Sequence, residues 1–404
     1  MITWPDVETF YLDQQLARHS PEENVRNAVG LIDNGKLPEA KRVLDRLLQK
    51  DPKLASAYIE LARIAMKSNW GPEGLQQAEA LIGSSLQLQP GNVNANILLA
   101  YVYAYQRRFK ESEPLLVAAA KEEPRNLWLW TNWGEYHELQ DQQEPAMAKY
   151  REAIRRPPTR DSYDRARMFA YDRLLALLET RKDVDGMEAL HRQRTEEYPT
   201  QHCDVARHAQ FLLRHRGDTA GAQAVMAKLN EAQCREGTAR EVLGTIHYLN
   251  WARAEGDAGV EALRQARVLL PSGPRTLYQL AKSEHTEIAA RKLVGAGQRI
   301  DLQDNEQFDA LAYAMRDRDH AAARRLLRMG AKPTALIGAG QMPIALLPVL
   351  LRDFEGIRLM RSAGVDYGKL QYQGTTALDH ARSQNDQELL RALDPKSRAS
   401  SLGA

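Results

Sequence analysis

The sequence predicts an all-α fold, an α-solenoid in which helical hairpins stack one upon the next. Three observations carry that prediction. Prolines fall at positions 52, 90, 124, 158 and 199, so two successive intervals are 34 residues and the intervals on either side are 38 and 41. Between these prolines apolar residues recur at helical spacing, with small residues where two helices have to approach. After residue 271 a second marker takes over: glycines 297, 330 and 364 each close a short apolar run and lie 33 and 34 residues apart. A fixed period of this size means repeated supersecondary units, none able to bury its own apolar face without its neighbour.

Each unit can be justified from its residues. In the segment that starts at Leu127, the residues Trp130, Trp133, Gly134 and His137 fall on one side of a helix, and Ala146, Tyr150 and Ala153 fall on one face of the next. That second helix stops at Pro157-Pro158, because proline lacks an N–H and restricts the residue before it. The same register recurs at Leu99, Ala100, Tyr103, Ser112, Leu116, Ala119 and Pro124, and earlier at Asn27, Ala28, Leu31, Ala40, Leu44, Leu47 and Pro52. The unit between them has Leu61, Ala62 and Ala65, then an insertion, Asn69-Trp-Gly-Pro-Glu-Gly, then Ala78, Ile82 and Pro90. This pattern resembles the tetratricopeptide repeat. The resemblance is strong for four units over residues 21–158. It is weaker for three over 159–272, which keep Leu174, Leu175, Leu178 and Pro199, then Ala209, Leu212 and Ala222, then Ile246, Leu263, Ala266 and Pro271.

The C-terminal marker is different. Arg325-Leu-Leu-Arg-Met-Gly330-Ala331 and its counterparts end in a glycine that supplies a left-handed cap. The stretch Gly374-Thr-Thr-Ala-Leu-Asp-His-Ala381 resembles the ankyrin opening, in which a threonine caps a short helix. Four ankyrin-like units are expected over residues 273–393. Three of their openings are degenerate: Asn305-Glu-Gln-Phe-Asp-Ala-Leu keeps only the leucine and Gln341-Met-Pro-Ile-Ala only a proline. Stacked helices are therefore expected here, but not a regular set of hairpins. Residues 1–20 read as a capping helix, and 394–404, polar and small, as a disordered tail.

Composition narrows the function. The chain of 404 residues is 43% hydrophobic, with a formal net charge of +2, so no global pull toward nucleic acid or acidic membranes exists. Two cysteines, Cys203 and Cys234, make no disulfide framework, and the N-terminal segment is acidic where a secretion signal is basic. No apolar run approaches the ~18 residues of a spanning helix. A cytoplasmic, bacterial protein without membrane insertion is expected. His202, Cys203, His208 and His215 do not form a metal set, because adjacent residues on a helix point about 100° apart and no carboxylate completes the site. No phosphate loop or nucleophile elbow occurs. The basic clusters Arg155-Arg156-Pro-Pro-Thr-Arg160 with Arg165 and Arg167, and Arg324-Arg325 with Arg328, lack base-reading partners, which argues against nucleic acid.

What remains is recognition. Stacked hairpins leave an extended concave wall that suits a partner helix or extended segment. In tetratricopeptide repeats, defined positions of each first helix face that wall. The resemblance implies Arg63 and Lys67 in the second unit, Asn94, Ile97, Tyr101 and Tyr105 in the third, and Trp128, Thr131, Glu135 and Glu138 in the fourth. They would form a basic patch, an aromatic centre and an acidic edge. The paired Lys and Asn with which some co-chaperones grip an acidic chain end are missing, because Val25, Val29, Ile97 and Tyr101 stand there. The reading is a non-enzymatic scaffold that binds another protein without metal or cofactor. A secretion-associated chaperone, an immunity protein or an effector are alternatives. An enzyme regulator or a nucleic-acid-binding repeat protein is a further one.

Overall fold

The computed structural model describes residues 4–157, 164–234 and 237–394. Pro158, Arg160 and the expected tail from residue 395 onward lie outside the described residues. The chain forms two compact units, Met1–Asp183 and Val184–Ala404. The division falls inside the fifth predicted helix pair.

The N-terminal unit opens with α1 (Trp4–Leu16), followed by four hairpins: α2 (Pro21–Asp33) with α3 (Leu37–Lys50), α4 (Ala55–Ser68) with α5 (Pro72–Leu88), α6 (Val93–Tyr105) with α7 (Phe109–Glu122), and α8 (Leu127–Glu138) with α9 (Gln143–Arg155). The helix α10 (Asp164–Thr180) closes the unit against α8 and α9. Local chemistry sets the boundaries. Ser20 and Glu23 form a reciprocal capping box at 2.9 and 3.2 Å, and Pro21 occupies the first helical turn, where its missing N–H costs nothing. Tight turns inside the hairpins need one left-handed residue. Gly35 supplies it with φ 75°, and Arg107, Asp141 and Lys182 supply it with φ 63°, 57° and 57°. The core is the continuous seam between pairs, where Ala28, Ala40 and Leu44, all fully buried, lie beneath Leu16 of α1.

The C-terminal unit starts with α11 (Val184–Glu197) packed on α12 (His202–Phe211). The latter runs directly into one turn of π-helix, Leu212–Arg216, stopped by Gly217 at φ 64°. There follow α13 (Thr219–Met226), α14 (Glu231–Cys234), then α15 (Gly237–Arg253) with α16 (Gly256–Leu269), α17 (Pro274–Ala281) with α18 (Glu284–Gly295), and α19 (Ala310–Arg316) with α20 (His320–Arg328). Two further pairs are each entered through a hairpin of two-residue strands. β1 (Leu336–Ile337) pairs antiparallel with β2 (Met342–Pro343) before α21 (Leu347–Leu350) and α22 (Phe354–Ser362). β3 (Gln371–Tyr372) pairs with β4 (Thr375–Thr376) before α23 (Ala377–Ser383) and α24 (Gln387–Leu393). The first of these hairpins forms at an opening whose sequence keeps only a proline. Backbone geometry places it there: Gln341 accepts a left-handed conformation at φ 51° without being glycine.

A finer period appears here than the glycines reveal. Asp319, Asp353 and Asp386 each cap a second helix by accepting a backbone N–H, at 2.9, 3.0 and 3.0 Å. The residues before them, Arg318, Arg352 and Asn385, are left-handed, and Gly297, Gly330 and Gly364 take φ of 98°, 100° and 92°. Neighbouring turns are tied together: Arg318 donates to the Leu351 carbonyl at 2.6 Å, and Arg352 pairs with Asp386.

Candidate binding groove

The first helices of the N-terminal unit pack side by side, α2 on α4, α6 on α8 and α8 on α10. A flat row of five helices would hold its outer members about 40 Å apart. Instead Arg165, in the first turn of α10, reaches Asp33 at the end of α2 at 2.5 Å. The row therefore curves, and the face shared by these helices is the inside of the curve.

At one end of this face Arg63 bridges Glu60 at 2.7 Å and the same Asp33 at 3.5 Å. Burial pushes Glu60 above the usual carboxylate range, against the pull of Arg63. In the middle lies an aromatic cluster. Tyr101 and Tyr105, one turn apart on α6, have ring centroids 4.8 Å apart, and Trp70 lies 4.8 Å from Tyr105 and 6.0 Å from Tyr101. Trp70 is 54% exposed. At the other end the Tyr105 hydroxyl donates to Glu135 at 2.8 Å, while Tyr150 donates to Glu138 at 2.5 Å and Arg173 forks onto the same carboxylate. Burial pushes Glu135 up to about 7, with the Tyr105 hydrogen bond and the charge of Arg173 opposing it and Glu138 adding to it. Among the described residues Glu135 has no ion pair.

The structure brings together Arg63, Tyr101, Tyr105, Glu135 and Glu138 of the sequence-derived set. It treats the others differently. Ile97 is 3% exposed and Thr131 fully buried, with the Thr131 hydroxyl donating to its own helix at Trp128, 3.0 Å away. Both pack between helices and offer a partner no surface, which corrects their assignment to the groove. A one-residue shift around the helix is enough to turn a wall position into the seam. Asn94 accepts a hydrogen bond from Asn126 at 2.9 Å, Lys67 is exposed, and Trp128 stands 37% exposed in the first turn of α8. Sequence reasoning missed Trp70, Asp33, Arg165 and Arg173. Two left a signal in the sequence, Trp70 as the aromatic residue of the insertion at 69–74 and Arg165 as a member of the basic cluster that begins at Arg155.

No protein-family model matches the chain, and no curated protein matches it in sequence. Solved structures do resemble it. TTC0263, a thermophilic TPR protein in Thermus thermophilus, is 20% identical over 48% of this chain and 100% of its own, with a TM-score of 0.39. PilW, a widely conserved type IV pilus biogenesis factor, is 14% identical over 55% of this chain and 98% of its own, at 0.39. The C-terminal part of a TPR repeat-containing protein from Cytophaga hutchinsonii is 14% identical over 63% and 99%, at 0.42. Similarity at this level carries no argument about activity or partner. The reading of the groove rests on its own residues.

Three histidines of the C-terminal unit, His191, His208 and His215, pack in one aromatic group with Phe211. Among the described residues no group of three His, Cys, Asp or Glu side chains is placed to hold a metal ion. His208 is buried, its Nδ1 3.0 Å from the Thr195 hydroxyl, and its ring stacks on His191 at 5.9 Å and 6°. Phe211 lies between His191 and His215, at 5.1 and 4.9 Å. Burial, then the charges of His208, Arg194, Arg207 and His215, holds His191 down to about 3, and burial also lowers His208. A histidine with a lowered folded pKa stabilises the fold above its ordinary value of 6.5 and loses that contribution as pH falls toward the folded value. Asp309, pushed up to about 6 by burial, acts in the opposite sense, adding stability as the pH falls. The two are separated by substitution. Between pH 7 and pH 5 the C-terminal unit is expected to lose on the order of 1–2 kcal/mol more in the wild type than in His191→Phe. Chemical denaturation at both pH values measures it, and equal losses in the two proteins would remove His191 as the cause.

Proposed function

We propose that the chain is a non-enzymatic scaffold whose N-terminal unit holds a segment of a partner protein on its inner face. The observation that carries this is the aromatic cluster of Trp70, Tyr101 and Tyr105 on a curved wall, beside the half-buried carboxylate of Glu135. Aromatic anchors dominate interface energetics, and polar groups around them set register. Three of the four carboxylates on this wall, Asp33, Glu60 and Glu138, are neutralised by arginines, so the surface is built for recognition rather than proton transfer. An extended or helical segment fits the length of the wall.

In the same reading residues 21–158 are four tetratricopeptide units, 159–272 three divergent ones and 273–393 four ankyrin units. The two hairpins and the period of Asp319, Asp353 and Asp386 support the last assignment. A nucleic-acid role draws no support from the basic clusters, which face acids of their own chain. Arg155 and Arg156 lie on Glu152, Arg165 on Asp33, Arg324 on Glu355, and both Arg325 and Arg328 on Glu287. Among the described residues no helix is long and apolar enough to cross a membrane.

The test is a comparison of two immobilised baits, wild type and Trp70→Ala/Tyr101→Ala, each checked by circular dichroism for equal helical content. A partner retained by the first is expected to fall roughly tenfold or more in the second. Recovery of the same partner at undiminished yield would move the binding surface elsewhere.

A further inference from the structure

The aromatic cluster of the inner wall has the parts of a cation site without a cation of its own. Other ring faces of the N-terminal unit are covered by basic side chains of the same chain. Arg108 lies 4.0 Å over Tyr103, Lys149 3.4 Å over Trp133 and Arg156 4.4 Å over Trp130. At Trp70, Tyr101 and Tyr105 three rings meet with centroids 4.8 to 6.0 Å apart, and Trp70 is more than half exposed. Among the described residues no lysine or arginine lies over any of these three. Tyr101 and Tyr103 stand two residues apart on α6 and so point to different sides of it. The side that faces into the curve is the one left uncovered.

The carboxylates show the same contrast. Asp33, Glu60 and Glu138 each hold an arginine, whereas Glu135 accepts only the Tyr105 hydroxyl, at 2.8 Å, among the described residues. It therefore stands at the phenol end of a ring that Trp70 meets edge-on, at 78°. Glu135 is faced by Tyr101 and Tyr105 from α6, by Glu138 on its own helix, by Tyr150 from α9 and by Arg173 from α10. Arg173 is committed to Glu138. Lys67, in the last turn of α4, is exposed and makes no ion pair and no ring contact among the described residues, so it does not supply the charge. Burial pushes the Tyr101 and Tyr105 hydroxyls up, and the charge of Glu135 pushes them further. An electron-rich ring face attracts a cation, and a half-buried carboxylate beside it adds a direct counter-charge. An aliphatic side chain would cover the rings and leave the carboxylate unpaired; an acidic one would be repelled.

We propose that Trp70, Tyr101, Tyr105 and Glu135 take a lysine or arginine side chain of the partner segment, its cation lying against the rings and the carboxylate. This rests on the reading that the inner wall holds such a segment, and it names the chemistry of the residue that anchors it.

The experiment uses the 404-residue chain and four alanine pentapeptides, acetylated and amidated, with lysine, arginine, norleucine or glutamate at the centre. NMR titration at pH 8 is expected to show a basic peptide binding with a millimolar dissociation constant, roughly fivefold or more tighter than norleucine and glutamate. The tighter of the two basic peptides identifies ammonium or guanidinium as the better fit. At pH 6 that binding should weaken by up to about tenfold, because Glu135, held up to about 7, gains a proton while the peptides keep their charge. In Glu135→Gln both the preference for the basic peptide and its pH dependence should disappear, at an unchanged or raised thermal midpoint, because a carboxylate held out of water is gone. Trp70→Ala, at an exposed position, should weaken the basic peptide several-fold and tests the rings separately. If Glu135→Gln melts several degrees lower, Trp70→Ala and the pH comparison decide. The proposal is overturned if norleucine binds as well as lysine and arginine, or if the basic peptides bind Trp70→Ala as tightly as wild type or a stably folded Glu135→Gln as tightly as wild type. If norleucine binds as well while partner capture still falls in Trp70→Ala/Tyr101→Ala, the wall remains the binding surface and only the cation is wrong.

Discussion

Gly134→Leu is expected to unfold the N-terminal unit. A Cβ at position 134 would lie 2.4 Å from Cε1 and 2.6 Å from Cζ of Tyr150. Tyr150 has nowhere to go, being fully buried, with its hydroxyl fixed on Glu138 at 2.5 Å. Overpacking at a closed contact costs about 1–3 kcal/mol even for single methylenes, and leucine adds a whole branched side chain. The site also orders the groove, because Glu138 is held between Tyr150 and Arg173. Gly134→Ala is the milder form of the same change and should already lower the thermal midpoint. Gly83, inside α5, is the control: nothing lies within 4 Å of its added Cβ. There Gly→Ala should stabilise by up to about 1 kcal/mol through helix propensity. Circular dichroism melts of the three variants test the argument, and a Gly134→Leu protein that melts like wild type would show that α8 and α9 do not pack as described.

The residues that make this contact explain why the stacking was legible in sequence. Gly134, Tyr150 and Ala146 alternate small and large at helical spacing, and prolines at a 34-residue period mark where each hairpin ends. These are local features, and they repeat. The aspartate caps of the C-terminal unit were equally periodic but less visible. Asp319, Asp353 and Asp386 stand among other acids, and only the geometry shows which of them accept a backbone N–H. Turn residues were harder still. Arg107, Asp141, Arg318 and Arg352 take left-handed conformations that sequence rules reserve for glycine, because hairpin closure and the packing of both helices dictate the backbone there.

The groove was only partly legible, for a different physical reason. Repeat position tells which side chains point inward on average, and it placed Tyr101, Tyr105, Glu135 and Glu138 together. It does not tell how far neighbouring helices close over a given position, so Ile97 and Thr131 went to the wrong side of the wall. Contacts between distant units leave no trace in a repeat register. Asp33 and Arg165 meet across the inside of the curve although 132 residues separate them in sequence. Trp70 belongs to an insertion, and insertions fall outside the register by definition.

Asp204→Ala is expected to be the most damaging single change in the C-terminal unit. Arg194 of α11 and Asp204 of α12 form an ion pair at 2.9 Å with both side chains 3% exposed. Removing the carboxylate leaves a buried guanidinium with its main counter-charge gone, which costs about 3–5 kcal/mol when a buried pair is broken from one side. The neighbouring Arg207, 3.4 Å from the same carboxylate, would lose that contact as well, although at 53% exposure it can turn to water. The pair itself need not be stabilising, since taking two charges out of water costs several kcal/mol per ion before their attraction is counted. The double variant Arg194→Met/Asp204→Leu separates these statements. It should recover most of the stability that Asp204→Ala loses, because neither charge remains to be desolvated. Urea denaturation of the wild type, the single variant and the double variant makes the comparison. A double variant as unstable as Asp204→Ala would mean that α11 and α12 depend on the pair's geometry, and that the charge left behind is not what destabilises the single variant.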